Sequence, residues 1–228
     1  MEIDPITRRT VGNEVAARLR ARILAGTLAE GGAIRQDAIA TELGVSRIPV
    51  REALAQLEAE GLVRVEPHRG AFVTELSSED VGELFELRRA IEPVLLRRAV
   101  PRMQAADLEL ATQAAAAFEA ALGRGERDSW GELNWRFHEA LYRPAARPRM
   151  LRLLQEVNNS TARCVRLHLG MDGAVQRAGA EHRSLIAHCR AGRVDEAVDL
   201  LTRHIEAAAR ELLDWLAQRD TARAPKCA

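Results

Sequence analysis

Gly44-Val45-Ser46-Arg47-Ile48-Pro49-Val50-Arg51-Glu52-Ala53-Leu54 is the stretch on which the reading of this chain turns. Gly44 supplies the left-handed stop that only glycine adopts cheaply. Ser46 is a ready N-cap, and Pro49 is tolerated in the first turn of the helix that follows. Val50, Ala53, Leu54 and Leu57 then share one apolar face, while Arg47 and Arg51 lie at the exposed start. Upstream, a short helix spans about 36–43 with Ile39, Ala40 and Leu43 on one face. Before it, a longer helix over about 10–25 carries Val11, Val15, Leu19, Ile23 and Leu24 at helical spacing. Downstream, Leu62–Val65 and Ala71–Thr74 read as two strands around a Pro67–Gly70 turn. Helix, helix, glycine turn, helix and β-hairpin is the order of a winged helix-turn-helix, here over residues 1–75.

From there every signal is helical. Residues 76–79 read as a linker ending in a helix start with early acids. The spacing predicts helices over about 79–99, 104–122, 128–143, 148–169, 173–191 and 194–218, with a kink at Pro93. Six helices of antiparallel length make an all-α antiparallel bundle over 80–218, and 219–228 reads as a disordered tail. The composition agrees with a mainly α protein: apolar residues are 47% of the 228, aromatics only 4%. No apolar run is long enough to span a bilayer, and the first ten residues have no signal-peptide core. Three scattered cysteines form no disulfide framework, so the expected location is cytoplasmic.

Net charge seems at first to exclude nucleic acid. There are 33 basic and 33 acidic residues, and residues 1–75 hold ten arginines against eleven acids. Position matters more than the total. In a helix-turn-helix the second helix enters the major groove and its first residues meet base edges, where a guanidinium pairs with guanine O6 and N7. Ser46, at the positive end of the helix, can bond a phosphate together with backbone N–H groups. Arg69–Gly70 at the hairpin tip reaches toward the minor groove. The plainer alternative is a solvated arginine face. Low bulk charge also means weak, salt-sensitive non-specific DNA affinity.

The residues from Gly44 to Leu54, with Leu57-Glu58-Ala59-Glu60-Gly61-Leu62-Val63 and His68-Arg69-Gly70-Ala71-Phe72-Val73, resemble the GntR family of bacterial winged-helix regulators over nearly all of 10–75. The resemblance implies contacts to bases or phosphates from Ser46, Arg47, Ile48 and Arg51, and from Arg69 and Gly70 in the wing. One position departs from the family. Many relatives carry an arginine where Asp37 stands. A carboxylate cannot make that phosphate contact, so Arg35 substitutes for it or the contact is missing.

Three of the six histidines fall on apolar helix stripes. Trp130, Asn134, Phe137, His138 and Leu141 share one; His182, Leu185, Ile186 and Cys189 a second; Leu201, His204, Ile205 and Ala208 a third. Asn134 and His138, four apart, address the same point in the bundle core. Three imidazoles and one oxygen donor would suit a first-row divalent metal. The alternative for each histidine alone is a hydrogen-bonded core residue. His68, His168 and His188 are weaker candidates, His168 for want of a donor partner one turn away.

The segments 84–93, 134–141, 181–186 and 203–205 are similar to the FCD effector domain of FadR-type GntR regulators, in its smaller VanR-like, six-helix form. That similarity implies metal ligation by Asn134, His138, His182 and His204, with Zn²⁺ first and Ni, Mn or Fe as alternatives. Asn134 stands where relatives carry Asp or Asn, and it is a weaker ligand than a carboxylate. It also implies that Arg88 faces the pocket and clamps an organic carboxylate bidentately; without it, Arg88 reads as a surface residue. The expected protein is a non-enzymatic, homodimeric regulator, most often a repressor in this family. It would read a pseudo-palindromic DNA operator and respond to a small organic or sugar acid. Its rivals are a constitutive DNA-binding dimer and a helical metalloenzyme. The second lacks a positioned general base, because Glu139 and Glu181 point about 100° away from their histidine neighbours.

Overall fold

The structure is a computed structural model, and it describes residues 11–67, 69–171 and 173–223. The expected tail beyond 223 and the turn residue His68 lie outside the described residues. The chain divides into two compact units, Met1–Glu75 and Leu76–Ala228.

In the first unit, α1 (Val11–Leu24) buries Val15, Ala16, Leu19 and Ile23 along one stripe. It packs on α3 (Arg47–Ala59), which answers with Val50, Ala53, Leu54 and Leu57. Between them α2 (Gln36–Leu43) ends at Gly44, whose φ of 66° and ψ of 34° are left-handed. This is the conformation that lets the chain turn sharply into α3 without a Cβ penalty. The wing holds more than the expected hairpin. β2 (Val63–Glu66) and β3 (Gly70–Val73) pair antiparallel, and β1 (Ala33–Ile34) adds to the other edge of β3, giving the order β1-β3-β2. Ala71 and Val73 point into the core by the period of two, and Phe72 points outward.

The second unit is helical: α4 (Ser78–Ala99), α5 (Ala105–Gly123), α6 (Trp130–Tyr142), α7 (Pro148–Leu169), α8 (Ala174–Arg190) and α9 (Val194–Arg223). Ser77 caps α4, accepting from the Asp80 amide at 3.0 Å. Leu76 is already buried in this unit's core, so two of the four expected linker residues belong to the core and the α4 cap and the other two to α4 itself. α4 continues through Pro93 as a single α-helix. α9 runs to Arg223, so 219–223 is helix rather than tail. Past the expected end at 218, Arg219 donates to the Leu76 carbonyl at 2.9 Å and covers the Trp215 ring, holding the extra turn against the unit. α4 lies along α9 and α5 along α6, around a core that includes Phe85, Leu95, Leu96, Leu141, Leu185, Leu201 and Ile205.

Candidate nucleic-acid interface and buried histidine centre

On the first unit the predicted contact residues all stand in solvent. Ser46 is the N-cap residue of α3, but its hydroxyl makes no capping bond. The cap expected from its side chain is absent, which leaves the hydroxyl at the positive helix end. Arg47 and Arg51 are exposed, and Ile48 is 58% exposed, an uncompensated apolar group at the head of a helix. Arg47 forms an ion pair with Asp37 across the α2–α3 turn. Arg35 is exposed at the N-cap of α2. Arg69 and Gly70 sit at the wing tip, with Gly70 at φ 104°.

Arg69 lies 2.5 Å from Glu66 and its guanidinium is 5.8 Å from the Phe72 ring; Arg64 also pairs with Glu66 and covers the same ring at 4.9 Å. Glu66 is therefore held in the wing between two arginines. Glu58 accepts from the Val65 amide, and Glu60 pairs with Arg20. Glu58, Glu60 and Glu66 are thus engaged with groups of this unit itself.

The second unit does the opposite and buries its polar residues. α6, α8 and α9 each turn one histidine inward, because each places it one turn from large apolar core residues. His182 is fully buried and His138 is 2% exposed. With His204 they form a cluster in which one ring nitrogen of each lies within 4.8 Å of those of the other two. Ring centroids are 5.2 Å apart for His138–His182 and 5.4 Å for each pair with His204. His182 stacks on Phe137 at 4.0 Å, with Phe118 at 5.2 Å on a tilt.

The partners of these rings decide what they can do. His204 Nδ1 lies 2.5 Å from Glu181 Oε2, an arrangement that puts the ring proton on Nδ1. His138 Nδ1 lies 3.2 Å from the Tyr142 hydroxyl. His138 Nε2 and both nitrogens of His182 are buried with no hydrogen-bond partner. Burial holds His138 and His182 well below the usual imidazole range, and the neighbouring imidazoles and arginines add to the effect. Ring nitrogens of His138, His182 and His204 thus converge in the core, those of His138 Nε2 and of His182 without a partner. That donor set suits a borderline divalent ion such as Zn²⁺, and the orphaned nitrogens fit a coordinating role.

Asn134 is buried one turn before His138 and lines a pocket with Arg88, Glu92, Trp135, His138, Leu154 and Asn158. Its side chains close on one another here, leaving no room for a water molecule between them. Arg88 is not a surface residue: it is 7% exposed, and its Nε donates to Glu92 Oε1 at 2.5 Å. Burial works against the guanidinium charge, but Glu92 outweighs it and holds Arg88 above its ordinary value.

Sequence reasoning missed Glu92, Tyr142 and Glu181. Glu181, expected to point away from its histidine neighbour, reaches the cluster all the same by bonding His204 on the next helix. His168, set aside for lack of a partner within one turn, lies 3.0 Å from Glu211 on α9, and Arg177 pairs with the same carboxylate.

An exposed recognition helix on one unit and a buried polar centre in the other fit a DNA-binding transcriptional regulator. The profile of bacterial regulatory proteins of the gntR family matches residues 12–73, and that of the FCD domain matches residues 83–207. The chain belongs to the GntR family, in the branch with an FCD domain. It is 29% identical over 202 residues, 89% of this chain and 88% of the other, to a probable D-xylose utilization operon transcriptional repressor of Paenarthrobacter nicotinovorans. It is 36% identical over 93 residues, 41% and 38% of the two chains, to the gluconate operon transcriptional repressor of Bacillus licheniformis. The crystal structure of a putative GntR regulator from Rhodococcus sp. RHA1 superposes with a TM-score of 0.77 at 27% identity, covering 89% of this chain and 97% of that one.

Proposed function

We propose that the chain is an effector-responsive repressor acting as a homodimer in the cytoplasm. Two winged units would read the half-sites of a pseudo-palindromic operator. The effector is a small organic or sugar acid, a class in keeping with the gluconate and xylose operons of its relatives. Arg47, Ile48 and Arg51 read bases from the head of α3; Ser46, Arg35, Arg69 and Gly70 hold the backbone and the adjacent groove.

His138, His182, His204 and Asn134 hold a divalent metal, Zn²⁺ first and Ni, Mn or Fe as alternatives. When bound, the metal supplies a Lewis-acidic point for an effector oxygen. Arg88, on the same pocket as Asn134 and His138, supplies the charge-assisted donors for a carboxylate. Glu181 keeps His204 in the tautomer with Nε2 free, and the apolar walls around His182 exclude water. The operator affinity then changes because the acid binds the DNA-competent and incompetent states differently.

The observation that carries this reading is the set of buried imidazole nitrogens without a partner. An unsatisfied buried polar atom costs about 1–3 kcal/mol, so a cluster of them in a native core calls for a ligand. The test is operator binding by fluorescence anisotropy against a panel of organic and sugar acids, with and without a chelator. The expected result is an acid that weakens operator binding only when metal is present. Operator binding indifferent to every acid in both conditions would favour a constitutive DNA-binding dimer.

A further inference from the structure

The buried charges of the second unit form one continuous chain that the effector reading alone does not require. Arg88 Nε donates to Glu92 Oε1 at 2.5 Å. The other oxygen, Oε2, accepts from the Tyr142 hydroxyl, also at 2.5 Å. The Tyr142 oxygen lies 3.2 Å from His138 Nδ1. Arg88 and Glu92 sit one turn apart on α4, whereas Tyr142 and His138 sit one turn apart on α6. All of these groups are buried, Glu92 to 2% exposure.

A tyrosine hydroxyl has one proton. The Glu92 carboxylate can only accept, so at 2.5 Å that proton points to Glu92 Oε2. With that proton donated to Glu92, the Tyr142 oxygen can only accept from His138. The ring proton of His138 is thereby fixed on Nδ1, and the lone pair is fixed on Nε2, the atom that has no other partner.

We propose that Glu92 and Tyr142 are positioning residues that tie the anion-binding arginine to the histidine cluster. Glu92 holds Arg88 with one oxygen and, through Tyr142, sets the tautomer and orientation of His138 with the other. This rests on the reading of His138 as a metal ligand, and it names what prepares that ligand. Outer partners of this kind raise ligand basicity, and their loss lowers metal affinity by about 10–100-fold. The bond network also makes the two halves of the site interdependent. A carboxylate that draws Arg88 away from Glu92 changes the acceptor available to Tyr142, and with it the hold on His138. By linkage the reverse follows too.

The test uses the full chain stripped of metal, in wild type, Tyr142→Phe, Glu92→Gln and the double variant. One readout needs no metal: ¹⁵N–¹H correlation of the His138 ring. The wild type should show a single tautomer with the proton on Nδ1, and Tyr142→Phe should show a mixture with Nε2–H. The second readout is competitive titration with Zn²⁺ alone. Each single variant should bind about 10–100-fold more weakly, and the double variant no more weakly than the worse single, because both act through one chain of bonds.

A pure Nδ1–H tautomer in Tyr142→Phe, or Zn²⁺ affinity unchanged in both single variants, overturns the proposal and leaves the metal reading standing. A wild type that binds no Zn²⁺, with the tautomer still shifting in Tyr142→Phe, overturns the metal reading and leaves the orientation of His138 by Tyr142 standing. Thermal unfolding of the metal-free variants separates a general loss of packing, which would lower stability without moving the tautomer.

Discussion

The two units handle polar side chains in opposite ways. The first keeps Arg47, Arg51 and Arg69 in solvent and satisfies its acids internally, through Arg20–Glu60, Glu66 with Arg64 and Arg69, and Glu58 with the Val65 amide. The second submerges Arg88, Glu92, Asn134 and three histidines among leucines and phenylalanines. Exposed ion pairs such as Arg47–Asp37 and Arg69–Glu66 are worth little and open at small cost when a polyanion arrives. Buried charges are tolerated only where partners or a ligand satisfy them. A DNA-binding surface and a bundle with a polar core can therefore share one chain of zero net charge.

If this contrast holds, substitutions in one unit should leave the other's readout intact. The largest effect is expected from metal itself. At a thousandfold excess over its dissociation constant, Zn²⁺ should stabilise the second unit by about 4 kcal/mol, read as a rise in its unfolding midpoint that a chelator reverses. His138→Ala should lose that rise and keep operator affinity in the absence of effector.

Next comes the exposed side. Arg51→Ala should weaken specific operator binding by about 1–3 kcal/mol in gel shift while leaving the metal-dependent thermal shift unchanged. Loss of both together would mean that the substitution disturbs more than the recognition surface.

A smaller, progressive effect is expected from pH. His138 and His182 are held below the usual imidazole range in the folded chain. Below about pH 6.5 the unfolded chain takes up protons that the folded chain refuses. The stability of the metal-free protein is thus fully present above that pH and falls as pH drops through it. Urea midpoints at pH 7.5 and 5.5 check the sign, and a flat profile would mean that these rings titrate normally. Least of all should come from Arg136→Ala. It removes an exposed i, i+4 pair with Glu132 and should shift stability by less than about 0.5 kcal/mol.

How much of this was legible in the sequence follows from the same physics. The recognition helix and its glycine turn are local signals, so Gly44, Val50, Leu54 and Leu57 announce them within a dozen residues. The inward faces of α6, α8 and α9 are equally local, because a histidine on an apolar stripe goes where the stripe goes. What no local pattern carries is which side chain of one helix meets which of another. Glu92 and Tyr142 are 50 positions apart, and only the packing of α4 near α6 joins them. Glu181 shows the limit from the other side. The 100° rule for chain neighbours says nothing of His204, 23 positions away on α9, which Glu181 meets. β1 was invisible for a different reason: a two-residue strand has no periodicity, and it exists because β3 offers it an edge. The α9 extension to Arg223 likewise involves a distant partner, the Leu76 carbonyl that Arg219 meets 143 positions away, rather than an end signal in the chain.

The central claim is that the partnerless nitrogens at the middle of the second unit exist to hold a metal. Elemental analysis of the full chain, purified without chelator or metal-affinity steps, tests it most directly. The account predicts about one divalent ion per chain in the wild type and near-complete loss in His138→Ala and His182→Ala. A metal-free wild type that also takes up no added Zn²⁺, Ni²⁺, Mn²⁺ or Fe²⁺, or full occupancy in both variants, would contradict it.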